Sequence, residues 1–403
     1  MEMSSGQAHS FPWLSAPRGQ AGTNLTSLSD TCKRHALSEF WGWVSRPLAA
    51  FTNGYSIVAD RKPTIIDVAR AAGASIKTVS RVMNNERYVS AETRERVLKV
   101  MAELQFQPNK SAQSLKGDKS YLIAHVYGDP GGYYTGQIQM GLLTRFRDQG
   151  YHLLIEEIDY RGDDVEDRVS KLVNQLNLDG VVVTAPVTDN DTVMSVIERA
   201  KVPYVRVTPQ REREGGSSVR IDERAASNDL TMHLLAFGHR RIGFIKGPEH
   251  HAGTRLRYSG YCDALREYGL EPDPEIIEQG GFTYRSALPC ARRLLSLTEP
   301  PTAIVASNDE MAAAVLSVAH DRGLSLPGDL SVVGFDDIEL AEMVWPPLTT
   351  VKQPIQELAD AAAEILVNIL TRKKQPGETT PVIHRVLPHH VVIRRSTAPP
   401  ARR

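Results

Sequence analysis

The chain has 403 residues, of which 41% are hydrophobic, and its 47 Lys and Arg nearly balance 48 Asp and Glu, for a formal net charge of -1. That length exceeds what one hydrophobic core usually serves, so two or more domains are expected, and the balance excludes a protein that is basic throughout. Cys32, Cys262 and Cys290 lack metal-ligand spacing, no long apolar run is present and residues 1 to 30 lack the apolar core of a secretory signal; a disulfide framework, a zinc site, a membrane span and export are not expected, and a reducing cytoplasm is.

Residues 1 to 62 mix Ser, Gly and Pro with isolated aromatics and hold Trp13, Trp41 and Trp43, without sustained periodicity. They read either as a disordered extension or as an over-long start, with translation beginning near Val58; a tail that binds a partner is a third reading. From Arg61 to Ser120 the composition shifts to twelve Lys or Arg against six Asp or Glu. An excess of six positives suits this segment to phosphate.

Residues 63 to 108 carry three short helical patterns. Thr64 is a good N-cap, Asp67 completes a short capping box, and Val68, Ala69 and Ala72 form a narrow apolar stripe, which predicts a helix over 65 to 72. Gly73 permits a tight turn, Ser75 caps a second helix, and Val79, Val82 and Met83 line its inner face. Ser90 opens a third, with Val97, Met101 and Leu104 inward and Pro108 ending it. This is a helix-turn-helix with support. Its second helix turns Ile76, Lys77 and Arg81 outward near its N-terminus, where such helices read base edges in the major groove. A solvated surface of a small bundle is the plainer alternative, which the local charge weakens. Residues 109 to 120 follow as a hinge helix and linker. The stretch NKSAQSLKG is too short to stay helical unaided, since isolated helices below roughly 12 to 15 residues are marginal. Leu115 in it suits a wedge between base pairs in a minor groove.

Residues 121 to 395 alternate apolar runs with amphipathic segments: YLIAHVYG, HLLIEEI, GVVVTAP, YVRV, RIGFIKGP, TAIVASN and SVVGFDD, interleaved with helix-like stretches. The runs read as parallel strands buried on both faces, a doubly wound α/β architecture. Gly150, Gly269 and Gly323 stand where helices would end in a left-handed residue. PQREREGGSS (209 to 218) marks either a change of lobe or a surface loop, and residues 396 to 403 form a tail. No phosphate-binding, dinucleotide or nucleophile-elbow motif occurs, so no cofactor and no catalysis are expected. His250 with His251 and His389 with His390 read as surface or solvent-facing residues on strands, not as metal ligands.

The run TIIDVARAAGASIKTVSRVMN, VSAETRERVLKVMAELQFQPN, SAQSLK resembles the DNA-binding headpiece of the lactose and galactose repressor (LacI/GalR) family, and the α/β part resembles its two-lobed, periplasmic-binding-protein-like sugar-sensing core. The likeness covers about residues 63 to 395. It implies that Ile76, Lys77 and Arg81 face the major groove, that Ser75, Thr78, Ser80, Asn84, Tyr88 and Ser90 contact or approach the backbone, and that Leu115 with Lys116 enters the minor groove.

Ligands of open parallel sheets bind beyond the carboxyl ends of the strands. There, Asn308 and Asp336 offer the donors and acceptors that sugar hydroxyls require, Tyr133, Tyr134 and Phe282 could stack on a sugar face, and Arg257 could hold hydroxyls or a carboxylate. Plainer readings make Asp309 and Asp337 helix caps, Tyr134 a core residue and Arg257 a surface charge. The resemblance places Arg257, Asn308, Asp336 and Phe282 at effector positions, while DPGGYYTG departs from the family's Asn-Pro-Phe-Phe and leaves open which tyrosine reaches the ligand. The expectation is a cytoplasmic, nucleoid-associated regulator of bacterial transcription, a repressor. It would bind double-stranded operator DNA as a homodimer, and a sugar-like effector in the interlobe cleft would control it, with induction as the default sign. The C-terminus shows no leucine heptads, so dimerisation is expected through the α/β faces.

Overall fold

A computed structural model of the chain describes residues 63–83, 86–106, 119–128, 132–372 and 381–401. The chain divides into two compact units between Phe106 and Gln107.

The first unit holds α1 (Ile65–Ala71), α2 (Ile76–Met83) and α3 (Ala91–Glu103). Asp67 accepts from the Thr64 backbone N–H at 2.8 Å, which closes the entry to α1. Ser75 Oγ accepts from Thr78 N at 3.0 Å and Ser90 Oγ from Thr93 N at 3.3 Å, capping α2 and α3. Gly73, at φ 57, makes the left-handed step between the first two helices. Val68, Ala69, Ala72, Val79, Val82, Val97 and Val100 are buried together, with Met83, Met101 and Leu104 packed partly against them. Val100 thus joins the inner face that the spacing assigns to Val97, Met101 and Leu104. Small residues on α1 allow its close contact with α2, and Arg96 Nε donates to Ala72 O at 3.1 Å, tying α3 to the end of α1.

The second unit has two lobes, each built on a six-stranded sheet. The first lobe contains β1 (Leu122–Tyr127), α4 (Gly132–Asp148), β2 (His152–Glu157), α5 (Val165–Gln175), β3 (Gly180–Thr184), α6 (Asp191–Arg199), β4 (Tyr204–Val207) and β5 (Ser217–Ile221). The second contains α7 (Glu223–Ala236), β6 (Ile242–Lys246), α8 (Ala252–Glu267), β7 (Ile277–Gln279), α9 (Tyr284–Leu294), β8 (Ala303–Ala306), α10 (Asp309–Asp321), β9 (Ser331–Asp336), α11 (Leu340–Met343) and β10 (Thr349–Lys352). Helix α12 (Ile355–Thr371) returns to pack on the first lobe against α4 and β3 to β5, β11 (His384–Leu387) joins β5, and β12 (His390–Val392) ends on β10. The strand orders are β11-β5-β4-β3-β1-β2, all parallel, and β12-β10-β9-β8-β6-β7, parallel except for β12. Strands such as GVVVT are buried along their whole length, as expected where helices cover both faces of a sheet. Gly150, Gly269 and Gly323 adopt φ of 79, 70 and 72, the left-handed helix ends that the sequence suggests.

The chain therefore changes lobe after β5, after β10 and after β11. PQREREGGSS is not the change of lobe: most of it forms the loop between β4 and β5 of the first lobe, and its last two residues begin β5. Strand β5 begins with two serines, so it has no apolar run to announce it. Their hydroxyls serve the edge strand instead, Ser217 Oγ accepting from Ile383 N at 3.1 Å and Ser218 Oγ lying 2.9 Å from His384 Nδ1.

Candidate functional site

On the first unit, burial of Val79 and Val82 turns the other face of α2 to solvent. Ile76 is 43% exposed and Lys77 is exposed, while Thr78, Ser80 and Arg81 are half-buried. Arg81 Nε lies 3.6 Å from Glu86 Oε2, an exposed pair of small worth, so its guanidinium can exchange partners. Tyr88, 88% exposed, stands before α3, an unusual position for a large aromatic. Ser75 and Ser90 are exposed and already act as helix caps. Asn84, Leu115 and Lys116 lie outside the described residues.

In the second unit, Tyr133, Tyr134, Arg257, Phe282, Asn308 and Asp336 all line one cleft between the lobes. Both lobes contribute: Thr208 and Ala185 come from the first, Glu223, His251, Glu310 and Ile338 from the second.

Arg257 is no surface charge, being 5% exposed on α8. Its Nε donates to Glu223 Oε2 at 3.1 Å, its Nη1 donates to Ser307 O at 2.5 Å and lies 3.6 Å from Asp336 Oδ1, and the Phe335 ring lies 3.8 Å from the guanidinium carbon. Two buried carboxylates thus compensate one buried guanidinium, as a desolvated charge requires. Asp336 ends β9 at φ 114 and accepts from Gln353 Nε2 at 2.7 Å. Burial pushes its pKa up to about 6 against the opposing pull of Arg257.

Asn308, rather than Asp309, caps α10: its Oδ1 accepts from Met311 N at 3.0 Å while its Nδ2 donates to Phe282 O at 2.9 Å. One lone pair and one N–H of the amide remain for a ligand. The expected capping by Asp309 and Asp337 does not occur, because the helix starts one residue earlier and the β9 loop turns back. Asp309 is buried and accepts from Thr350 Oγ1 at 2.6 Å and Ile338 N at 2.9 Å, and Asp337 lies 2.7 Å from Arg394 Nη2. Phe282 sits in the left-handed region at φ 59, and its ring fills the space where a Cβ on Gly247 would come within 2.3 Å. A larger residue at 247 would have to displace the Phe282 ring.

Tyr133 is 39% exposed at the cleft wall. The Tyr134 hydroxyl is buried and makes no well-formed hydrogen bond among the described residues, and burial raises its pKa. His250 and His251 are not on a strand but in the turn after β6, and His251 is not a solvent-facing residue. It lines the cleft, packs edge-on to Phe282 at 5.1 Å, and accepts from Gly253 N at 3.1 Å through Nδ1, so its proton belongs on Nε2. Burial, with Arg257 and Arg255, lowers its pKa to about 3, so it stays neutral. His389 lies between β11 and β12, 2.8 Å from Asp229 Oδ2.

Residues 64–109 match the family described as bacterial regulatory proteins, lacI family, and residues 231–397 match the periplasmic binding protein-like domain. The chain is 35% identical over 340 residues to the HTH-type transcriptional regulator DegA of Bacillus subtilis (strain 168), covering 84% of this chain and 99% of DegA. The chain belongs to the LacI family. This LacI-family regulator of transcription is also 33% identical to CelR of Thermobifida fusca, over 83% of its own length and 98% of CelR. Among solved structures, a lac repressor dimer bound to operator and the anti-inducer ONPF matches at TM-score 0.73 and 29% identity, covering 84% of this chain and 100% of that one. A CelR–cellobiose complex matches at TM-score 0.62 and 30% identity, covering 83% and 99%. Within the regulator's cleft, sequence reasoning missed Thr208 and Glu223 and took His251 for a surface residue. Only Glu223 left a trace: an acidic residue opening a helix after a strand, the same signal that exposed helix starts give.

Proposed function

We propose that the chain is a homodimeric repressor that binds a pseudo-palindromic operator through α2 and releases it when a sugar-like effector enters the interlobe cleft. The observation that carries this reading is the convergence of aromatic, amide, guanidinium and carboxylate side chains from both lobes on one cleft. Ile76, Lys77 and Arg81 would meet base edges, while Ser75, Thr78, Ser80, Asn84, Tyr88 and Ser90 would meet or approach the phosphate backbone. Leu115 with Lys116 would enter the minor groove and bend the duplex. Tyr133, Tyr134, Arg257, Phe282, Asn308 and Asp336 would hold the effector, with the buried Tyr134 hydroxyl beside Thr208 turned to one of its polar groups. Exposed Met140 and Ile155 on the first lobe and Met343, Trp345 and Ile393 on the second support dimerisation through the α/β faces. The resulting protein acts in the cytoplasm, on the nucleoid, without catalysing a reaction.

Selection of bound duplexes from a random pool, repeated with mono- and disaccharides, tests this reading. A palindromic motif that weakens with one sugar is the expected result. No enriched motif under any condition would refute operator binding, and a motif indifferent to every sugar would refute the effector assignment.

A further inference from the structure

We infer that the cleft selects neutral polyhydroxylated effectors over those bearing a carboxylate or phosphate, and that Glu223 sets this choice; the inference rests on the cleft being the effector site. Arg257 is the one lysine or arginine that lines the cleft among the described residues, and its charge is already met by the buried carboxylates of Glu223 and Asp336. Its Nε is taken by Glu223 at 3.1 Å, its Nη1 by Ser307 O at 2.5 Å, and Asp336 lies 3.6 Å away. The Phe335 and Phe282 rings stand 3.8 and 5.4 Å from its guanidinium carbon. His251 is neutral and adds no positive charge.

The three buried groups Glu223, Arg257 and Asp336 therefore carry one negative charge more than positive, in a site where Glu223 and Arg257 are 5% exposed and Asp336 7%. An anionic ligand brought here would lose its hydration and face carboxylates that already neutralise the guanidinium. A hydroxyl group brings a proton to donate, and a hydrogen bond to an ionised carboxylate is among the stronger kinds. Charge alone thus separates a sugar from its acid or phosphate ester.

Glu223 is fixed by its place in the chain. It is the first residue of α7, where the backbone enters the second lobe, and Asp222 holds that turn by accepting from Ala225 N at 3.0 Å. A Cβ on Gly253 would come within 2.5 Å of Glu223 Oε2, so α8 packs directly on the carboxylate. Without it, Arg257 would keep Asp336 alone as its counter-charge, and the group would be neutral overall.

The test is calorimetric titration of the full chain at pH 7.5 with matched pairs: glucose with glucuronate and glucose 6-phosphate, galactose with galacturonate, cellobiose with cellobionate. In any pair whose sugar binds, the acid or ester is expected to bind more weakly by about tenfold or more. Glu223→Gln should narrow that gap, and Glu223→Asp, which keeps the charge, should preserve it. An acid or ester that binds as tightly as its sugar overturns the inference while leaving the effector site intact. An unchanged gap in a folded Glu223→Gln protein overturns the role of Glu223. Binding of no member of either series overturns the effector reading and the inference with it. Should Glu223→Gln fail to fold by circular dichroism, the wild-type pairs still decide the selectivity.

Discussion

His125 shows how much one buried group can tie stability to pH. It lies on β1 with no exposed surface, its Nε2 is 2.7 Å from Thr184 Oγ1, and its Nδ1 has no partner among the described residues. Burial lowers its pKa from 6.5 to about 3. The unfolded chain thus takes up the proton first, and stability held above pH 6.5 is lost as pH falls toward 3. At roughly 1.4 kcal/mol per pH unit, moving from pH 7 to 5 costs about 2 kcal/mol from this residue alone. Asp336, raised to about 6, acts in the opposite sense, since its folded form binds the proton more readily as pH falls. The difference between wild type and His125→Gln isolates the histidine: urea denaturation at pH 7 and 5 should show a smaller acid loss in the variant by about 2 kcal/mol. Equal losses would place the proton elsewhere. At this scale the sequence is legible where chemistry is local. Asn308 and Asp336 stand out because they follow apolar runs, but the partners of Asp309 and Asp337 depend on Thr350 and Arg394, which only the fold brings near.

Among the elements, α2 was legible because its apolar period is clean and its start is marked twice, by Ser75 and by the glycine turn before it. Helices α7 and α9 were not. The buried residues of α7 include Ser227 and Thr231 beside Leu230 and Leu234, because α8 packs so closely that a Cβ on Gly260 would come within 2.1 Å of the Arg224 carbonyl oxygen, and polar side chains fit where larger apolar ones would not. Helix α9 carries Pro289 inside it, a residue that ordinarily ends a helix. The exposed side of α2 supports a direct prediction. Lys77→Ala leaves the buried Val79 and Val82 untouched, so the fold should persist while preference at one or two base pairs relaxes, with a loss of about 1 to 3 kcal/mol on the best site. Binding to a set of single-position operator variants measures it. A uniform loss across all variants would make Lys77 a phosphate contact instead.

The whole α/β unit was legible as alternating strands and helices, but its division into lobes was not, since the chain crosses between them at three places that carry no composition signal. One of these lobe-to-lobe relations makes the effector response testable. Arg255 Nη2 on α8 donates to Gln210 Oε1, in the loop after β4, at 2.5 Å, joining the lobes outside the cleft. If an effector binds by holding the lobes together, this bond stabilises the same state that the effector does. Exposed and charge-assisted, it is worth about 1 kcal/mol, and its loss lowers the fraction of closed cleft and with it the apparent effector affinity, by roughly fivefold. Arg255→Ala should therefore weaken effector binding without altering operator affinity in the absence of effector. Linkage adds a second requirement: the factor by which effector changes operator affinity must equal the factor by which operator changes effector affinity, in wild type and variant alike. Titrations of effector with and without operator measure both. An unchanged effector affinity in Arg255→Ala would show that lobe closure does not limit binding, and the coupling would then have to run through the cleft residues themselves.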